Sequence, residues 1–322
     1  MKTFTPFLAI FCFFSITSRS QIQMTVAGLR STASPLLTTS YFITDPGKQG
    51  LFYYDPKDNL SLDNGGTVIV SAGKRYKRNY SGDIDIRWFG GVSDYSISGR
   101  TGTDNTAAFN AAVGAASARQ TVMIPGGEWY FKSTLVLPVV TVKKVNYLIY
   151  GNIYFAKGAG FVIEGRDQDF RSYGNIDGGN TGATTEAAFA AYQGIGIYLK
   201  NTYNCFVDVN EIKNFKYGIQ QAGEKWGAPN GCQYNKVFFR SIHHNHTQIR
   251  LTVIGASSLK GNWNNENTFY GGQLGLGVPA VTYGLSGWYG IVIDREPSAT
   301  DAVYTLDGHK FYSIGFEGLE KC

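Results

Sequence analysis

Two short phrases alternate along residues 160–318, and their apolar positions carry the first information about the fold. One phrase is a small or polar residue leading into a short apolar strand: GFVI at Gly160, GIYL at Gly196, GIQ at Gly218, QIRL at Gln248 and GIVI at Gly290. The other is an Asn with an apolar group two residues on: NCF at Asn204, NKV at Asn235, NTF at Asn267 and a degenerate HKF at His309. Alternation over runs this short marks strands with one buried face. A unit of about 22 residues, widened by insertions and carrying Asn at a bend, predicts a parallel β-helix in which each coil completes its core against the next. A β-sandwich fits less well, because the phrases keep their internal order. Alternation sends Ile197, Leu199, Ile219, Ile249, Leu251, Ile291 and Ile293 inward, and Tyr198, Lys200, Gln220, Arg250, Thr252 and Asp294 outward.

Upstream the period changes. In TDNTAAFNAAVGAASARQTVMIPGGEWYF, from Thr103 to Phe131, Ala107, Ala108, Ala111, Ala112, Ala115 and Ala116 recur at helical spacing beside Phe109 and Val113. Asp104 is the expected N-cap of a helix over about 104–118. So small an apolar face must lie close to what it covers, and an open first coil needs such a lid. TVMI, PGG and EWYF then read as strand, tight turn and returning strand, a small hairpin that begins the first coil.

The N-terminus has the pattern of an export signal: Lys2, then the apolar run PFLAIFCFFSI, then SRS before Gln21. The expected organisation is a signal peptide over 1–20, a β-rich leader over 21–87 and a β-helix over 88–322, with the mature chain secreted, periplasmic or at the cell surface. No later segment reaches the roughly 18 apolar residues of a membrane span. The formal charge of +5 includes Lys2 and Arg19, which would leave with the signal. The remaining excess is too mild to argue for nucleic acid and suits an acidic polysaccharide. Cys205, Cys232 and Cys322 make no disulfide framework; Cys205 and Cys232 read either as a bridge or as two buried thiols. In the leader, YYDP and KRYKR read as strand edge and basic surface. The chain stops soon after a new coil opens at His309 with no capping repeat, which predicts a fragment or a partner over that end.

WFGG at Trp88, TGTDNTAAFNAAVGAA and VMIPGGEWYF together resemble the N-terminal signature of pectin-lyase-like right-handed parallel β-helix proteins, the pectate lyase superfamily domain. The resemblance is strong over 88–135 and rests on the repeat from 136 onward. It implies an all-β fold: a right-handed parallel β-helix with a short capping α-helix behind a small β-rich leader. Residues 50–78 are similar to leaders that precede this domain in bacterial surface and phage tail proteins. The segment GVSDYSISGRTGTDN is longer and less acidic than the family's Gly-Asp-Gly phrase, so no role is carried over to it.

The fold alone does not decide the reaction. Polygalacturonase-type hydrolases of this family carry carboxylates just before the Gly-Ile strands, where paired acids protonate the leaving oxygen and activate water. The equivalent places here hold Lys216, Tyr217, His246, Trp288 and Tyr289 and no carboxylate. Asp177 matches only a turn phrase of those enzymes. The expectation is therefore β-elimination on a uronate glycan, with Arg250 and Lys216 neutralising the carboxylate and His246, Lys216 or Tyr217 moving protons. Tyr198, Lys200, Gln220, Trp288, Tyr289 and Asp294 would complete the binding face. The alternatives are a non-catalytic, tailspike-like glycan-binding protein, plausibly homotrimeric, and a hydrolase with non-standard carboxylates. No cofactor is expected. The acid pairs Asp167/Asp169 and Asp208/Glu211 are the places where calcium would fit, as in some pectate lyases. His243, His244 and His246 lack an acidic partner at helpful spacing for a metal site.

Overall fold

The computed structural model describes residues 20–137, 145–224, 231–254, 263–275, 287–295 and 306–321. The signal-peptide expectation falls almost wholly on residues 1–19, outside that set. The described chain forms two compact units.

The first unit, formed by residues up to 45 with 49–63 and 68–80, is a five-stranded sheet. Its order is Ser20–Met24, Thr39–Ile43, Gly50–Asp55, Lys74–Arg78, Val68–Ser71, with the first pair parallel and the rest antiparallel. The core is Val26, Leu29, Tyr41, Ile43, Phe52, Ile69 and Tyr76. Neither basic nor acidic phrase of this unit lies at an edge, contrary to expectation. Lys74–Arg78 is paired on both sides, because Tyr76 alternates into the core and Arg78 lies over the Phe52 ring at 4.8 Å. The edges are Ser20–Met24 and Val68–Ser71.

The second unit is a parallel β-helix. Pairing registers align Leu135, Phe161, Ile197, Ile219, Ile249 and Ile291 as one column from coil to coil. The first five are wholly buried, so distant phrases become lateral neighbours. Gly160 and Gly218 precede their column residues for a steric reason: a Cβ at Gly160 would fall 1.8 Å from the Ile195 carbonyl oxygen, and at Gly218 2.5 Å from Ile242. Where Gln248 takes the place, its buried amide is closed by reciprocal bonds with Asn245. Ile291 is only half-buried and Ile293 is 51% exposed, a departure from the inward assignment.

Asn side chains stack as expected, with one change of register. Asn235 Oδ1 accepts from the Cys205 amide at 2.9 Å, and Asn267 Oδ1 accepts from the Asn235 amide at 3.0 Å and its Nδ2 at 2.8 Å. Phe206 pairs with Lys236, and Lys236 with Thr268, so the column runs Cys205, Asn235, Asn267, and Asn204 lies one residue out. Asn204 instead occupies a left-handed turn (φ 53°) and bonds Asp167. Asn235→Ala is expected to cost about 1–3 kcal/mol in urea unfolding by orphaning buried amides, and Asn204→Ala less. Cys205 and Cys232 are both buried free thiols, not a bridge, and burial raises both thiol pKa values, Cys205 to about 12.

The lid helix spans Thr106–Ala115 and buries Ala108, Phe109, Ala112 and Val113. Phe109 meets Phe131 and Tyr147, side chains of the first two coils, at 6.2 and 6.1 Å. The N-cap is Asn105 rather than Asp104; Asn105 uses its side chain on Val92, while Asp104 accepts from the Thr106 amide. The expected hairpin is absent. Thr121–Ile124 and Glu128–Phe131 pair in parallel with Asn146–Ile149 and Asn152–Phe155 of the next coil, so PGG turns a corner between two faces.

Candidate functional sites on two faces of the β-helix

On the sheet containing Phe161–Arg166, Ile195–Tyr203, Tyr217–Gly223, Asn245–Val253 and Gly287–Ile293, every residue expected to act is placed. Tyr198, Lys216 and Tyr217 line one groove of about 370 Å³. His246 and Tyr289 have ring centroids 5.3 Å apart, and the Tyr289 hydroxyl donates to Glu186 at 3.1 Å. Burial, then the charge of Lys216, lowers the His246 pKa. Trp288 is half-buried beside Tyr289.

The outward stripe is not the solvated face expected from alternation: Gln220, Arg250 and Thr252 are buried. Its cations are also engaged. Arg250 makes a forked ion pair with Asp294, at 2.9–3.2 Å, and lies over the Tyr217 ring at 4.9 Å. Lys200 bridges Glu224 at 2.9 Å and Glu164 at 3.4 Å, and the Tyr198 hydroxyl bonds Glu224. The carboxylates holding these cations come from other coils, Glu164 and Glu224 among them, and local patterning could not reveal them. Of the two groups assigned to a uronate carboxylate, only Lys216 remains without a carboxylate partner among the described residues.

The opposite sheet carries a second constellation. Asp169–Asp177, Phe206–Lys213 and Lys236–His243 pair in parallel, with Asn175 opposite Glu211 and then Ser241, and Asp177 opposite Lys213 and then His243. Ile176 and Ile212 turn inward at 0% exposure, which sends Asp177, Glu211 and Lys213 to the outer face. Glu211 accepts from Lys213 at 2.6 Å and lies 3.4 Å from His243, the acidic partner that linear spacing concealed. Asp177 is held by neutral donors, Asn214 at 3.0 Å and the Gly179 amide at 2.8 Å. Lys213, Asn214, His243, His244 and Tyr192 line an adjoining groove of about 380 Å³.

The approach of His243 at 3.4 Å, with Lys213 beside it, holds the Glu211 pKa down at about 2. Burial, reinforced by His243, lowers the His244 pKa to about 4. Both shifts act in the same direction on acidification. Glu211 stabilises the folded chain above its ordinary value of 4.5, and that contribution is lost as pH falls through 2. His244 binds its proton later than in the unfolded chain, so stability also declines from pH 6.5 toward 4. The unfolding temperature is expected to fall throughout this range, and His244→Gln to flatten the upper part.

Farther along the same sheet, Phe238, Tyr270 and Tyr312 stack at 4.4 and 5.4 Å, and Tyr150 stacks on Tyr173 at 5.5 Å. Tyr173, Phe238 and Tyr270 line a groove of about 580 Å³ with Asp208, Asn210 and Arg240. Such flat aromatic faces suit sugar rings. Of the acid pairs, Asp169 is held by Arg171 at 2.8 Å and Glu211 by Lys213, and no three His, Cys, Asp or Glu side chains converge among the described residues.

Full-length tailspike protein 2 of an Escherichia coli O157:H7 bacteriophage superposes with a TM-score of 0.54 at 14% identity, over 93% of this chain and 42% of that one. The fold is that of a tailspike-like parallel β-helix. Residues 24–81 match the phage tail protein small four-stranded β-sheet domain, a span that takes in the first unit's strands from Thr39–Ile43 to Lys74–Arg78. Pantoea stewartii WceF, described as a glycan biofilm modifying enzyme with a bacteriophage tailspike-like parallel β-helix, gives 0.44 at 13% identity, over 92% of this chain and 49% of that one. The Acinetobacter baumannii phage AM24 tailspike protein gives 0.32 at 14%, over 92% and 65%. The chain spans less than two thirds of each of these proteins. Among the described residues of this tailspike-like β-helix, no helix is long and apolar enough to cross a membrane.

Proposed function

We propose that this protein binds and hydrolyses a polysaccharide, with Glu211 and Asp177 as the working carboxylates. The observation that carries this reading is the placement of both on the outer face of adjacent parallel strands, offset by two residues, beside an open groove. Diagonal neighbours of this kind have Cα atoms roughly 7–8 Å apart, close enough for two side-chain carboxyls to flank one glycosidic bond. Glu211, kept ionised by His243 and Lys213, takes the part of base or nucleophile. Asp177, which has no cation partner among the described residues, takes the part of acid on the leaving oxygen. The likeness of the fold to that of a phage tailspike supports the substrate class. Export to the cell surface and a homotrimeric state belong to the same reading; light scattering tests the latter.

The test is release of reducing ends from bacterial surface polysaccharides incubated with the full chain. Turnover that yields saturated ends supports hydrolysis. Unsaturated ends, detected by ultraviolet absorbance, would move the chemistry to the other face, where Lys216 and Tyr217 line a groove and His246 lies against Tyr289. A non-catalytic wall is the further reading, favoured by the Phe238–Tyr270–Tyr312 stack; it predicts retention of glycan with no new ends at all.

A further inference from the structure

The segment that departs from the family pattern, residues 91–105, folds against the Asp177 groove. Its end is tied down by Asn105, buried at 1% exposure, whose side chain bonds Val92, Thr103 and Tyr130. Asp94 accepts from both the amide and the hydroxyl of Thr103 at 2.7 Å, and the Ser96 amide closes on the Thr101 carbonyl at 2.8 Å. The Tyr95 amide bonds the Glu128 carbonyl, and its ring stacks on Tyr154 at 4.2 Å and Tyr130 at 5.4 Å. The loop is thus built as a fixed object.

At its tip, Arg100 adopts φ 51°, a left-handed conformation unfavourable for a side chain of this size. Its guanidinium reaches the Gly179 carbonyl at 3.3 Å and the Thr181 hydroxyl at 3.4 Å. Both partners are neutral. Among the described residues no carboxylate lies within ion-pair distance of it, unlike Arg87, Arg171 and Arg250. Gly179, whose carbonyl accepts from Arg100, donates its amide to Asp177, and Thr181 lines the same groove as Lys213 and His244. An exposed guanidinium with open donors is therefore held against Gly179, whose amide bonds the acid.

We infer that Arg100 forms an anion subsite of this groove, reading a sugar carboxylate next to the bond positioned over Asp177 and Glu211. The substrate class is then a uronate-containing glycan, held through a forked guanidinium–carboxylate pair. This inference rests on the hydrolytic reading of the groove, and its test separates the two.

Uronate oligosaccharides of the galacturonate, glucuronate and mannuronate–guluronate types are compared with their carboxyl-reduced counterparts, for binding and for turnover. The proteins are the unaltered chain, Arg100→Gln and Arg100→Lys. The expected result is at least one acidic oligosaccharide bound more tightly than its reduced form. Arg100→Gln should weaken that binding, and raise KM, by roughly ten- to a hundredfold with kcat nearly unchanged. Arg100→Lys should recover part of the loss, and the reduced sugar should not distinguish the proteins. If nothing is cleaved, the hydrolytic reading fails while the binding difference still decides the subsite. Equal affinity for acidic and reduced forms, or equal loss on both in Arg100→Gln, overturns the inference.

Discussion

Glu211→Gln is expected to lower glycan hydrolysis by about 10²–10⁴-fold while leaving glycan retention close to that of the unaltered chain. The amide keeps the size of the side chain but removes the charge that would activate water or attack the sugar. It also releases Lys213 and His243 from their carboxylate partner, so the acid limb of the pH–rate profile should change together with kcat. Asp177→Asn should produce a loss of similar size, with the amide still able to bond Asn214. Replacing Asn210, which faces the aromatic groove, should mainly affect KM. Measuring kcat and KM for the three variants checks the assignment. Full activity in both carboxylate variants would remove this face from the chemistry.

The largest structural effect is expected from Phe161→Ala, at about 3–5 kcal/mol in denaturant unfolding. Phe161 is wholly buried in the central column, with Phe155 and Phe170 rings at 5.1 and 5.0 Å. These three aromatics come from three strands of adjoining coils, so the cavity would open where successive coils interlock and could not close by moving one side chain. Phe161→Leu should recover most of the loss. An effect below about 1 kcal/mol would mean that the column does not hold the coils together.

Much of the fold was legible because a solenoid repeats one local problem. Gly160, Gly196, Gly218, Gln248 and Gly290 precede equivalent positions in successive coils, and the registers align the residues that follow them. The Ala-rich lid was readable for the same reason, since a small helical face needs a close neighbour. Errors arose where partners are distant along the chain. PGG looked like a hairpin because strand–turn–strand is the local reading, whereas each strand found a better partner a coil away. KRYKR looked like an edge because its charges were visible and the pairing on either side of Tyr76 was not.

The site shows the same division more sharply. Alternation identified Arg250 and Lys200 as outward residues but could not show Asp294, Glu164 and Glu224 reaching them from neighbouring coils. His243 appeared to lack an acidic partner because Glu211 is far away in sequence, although the register places the two strands side by side. Arg100 stood in a loop with no assigned role until folding put it against Gly179.

The sequence by itself determined the alternating strands, the repeat and the capping helix, because each depends on side chains a few positions apart meeting one interior. Only the tertiary structure decided which charges are satisfied and which remain available to a ligand. Ion pairing depends on distances of a few ångströms between residues from different coils, and stacking those coils is what creates the distances.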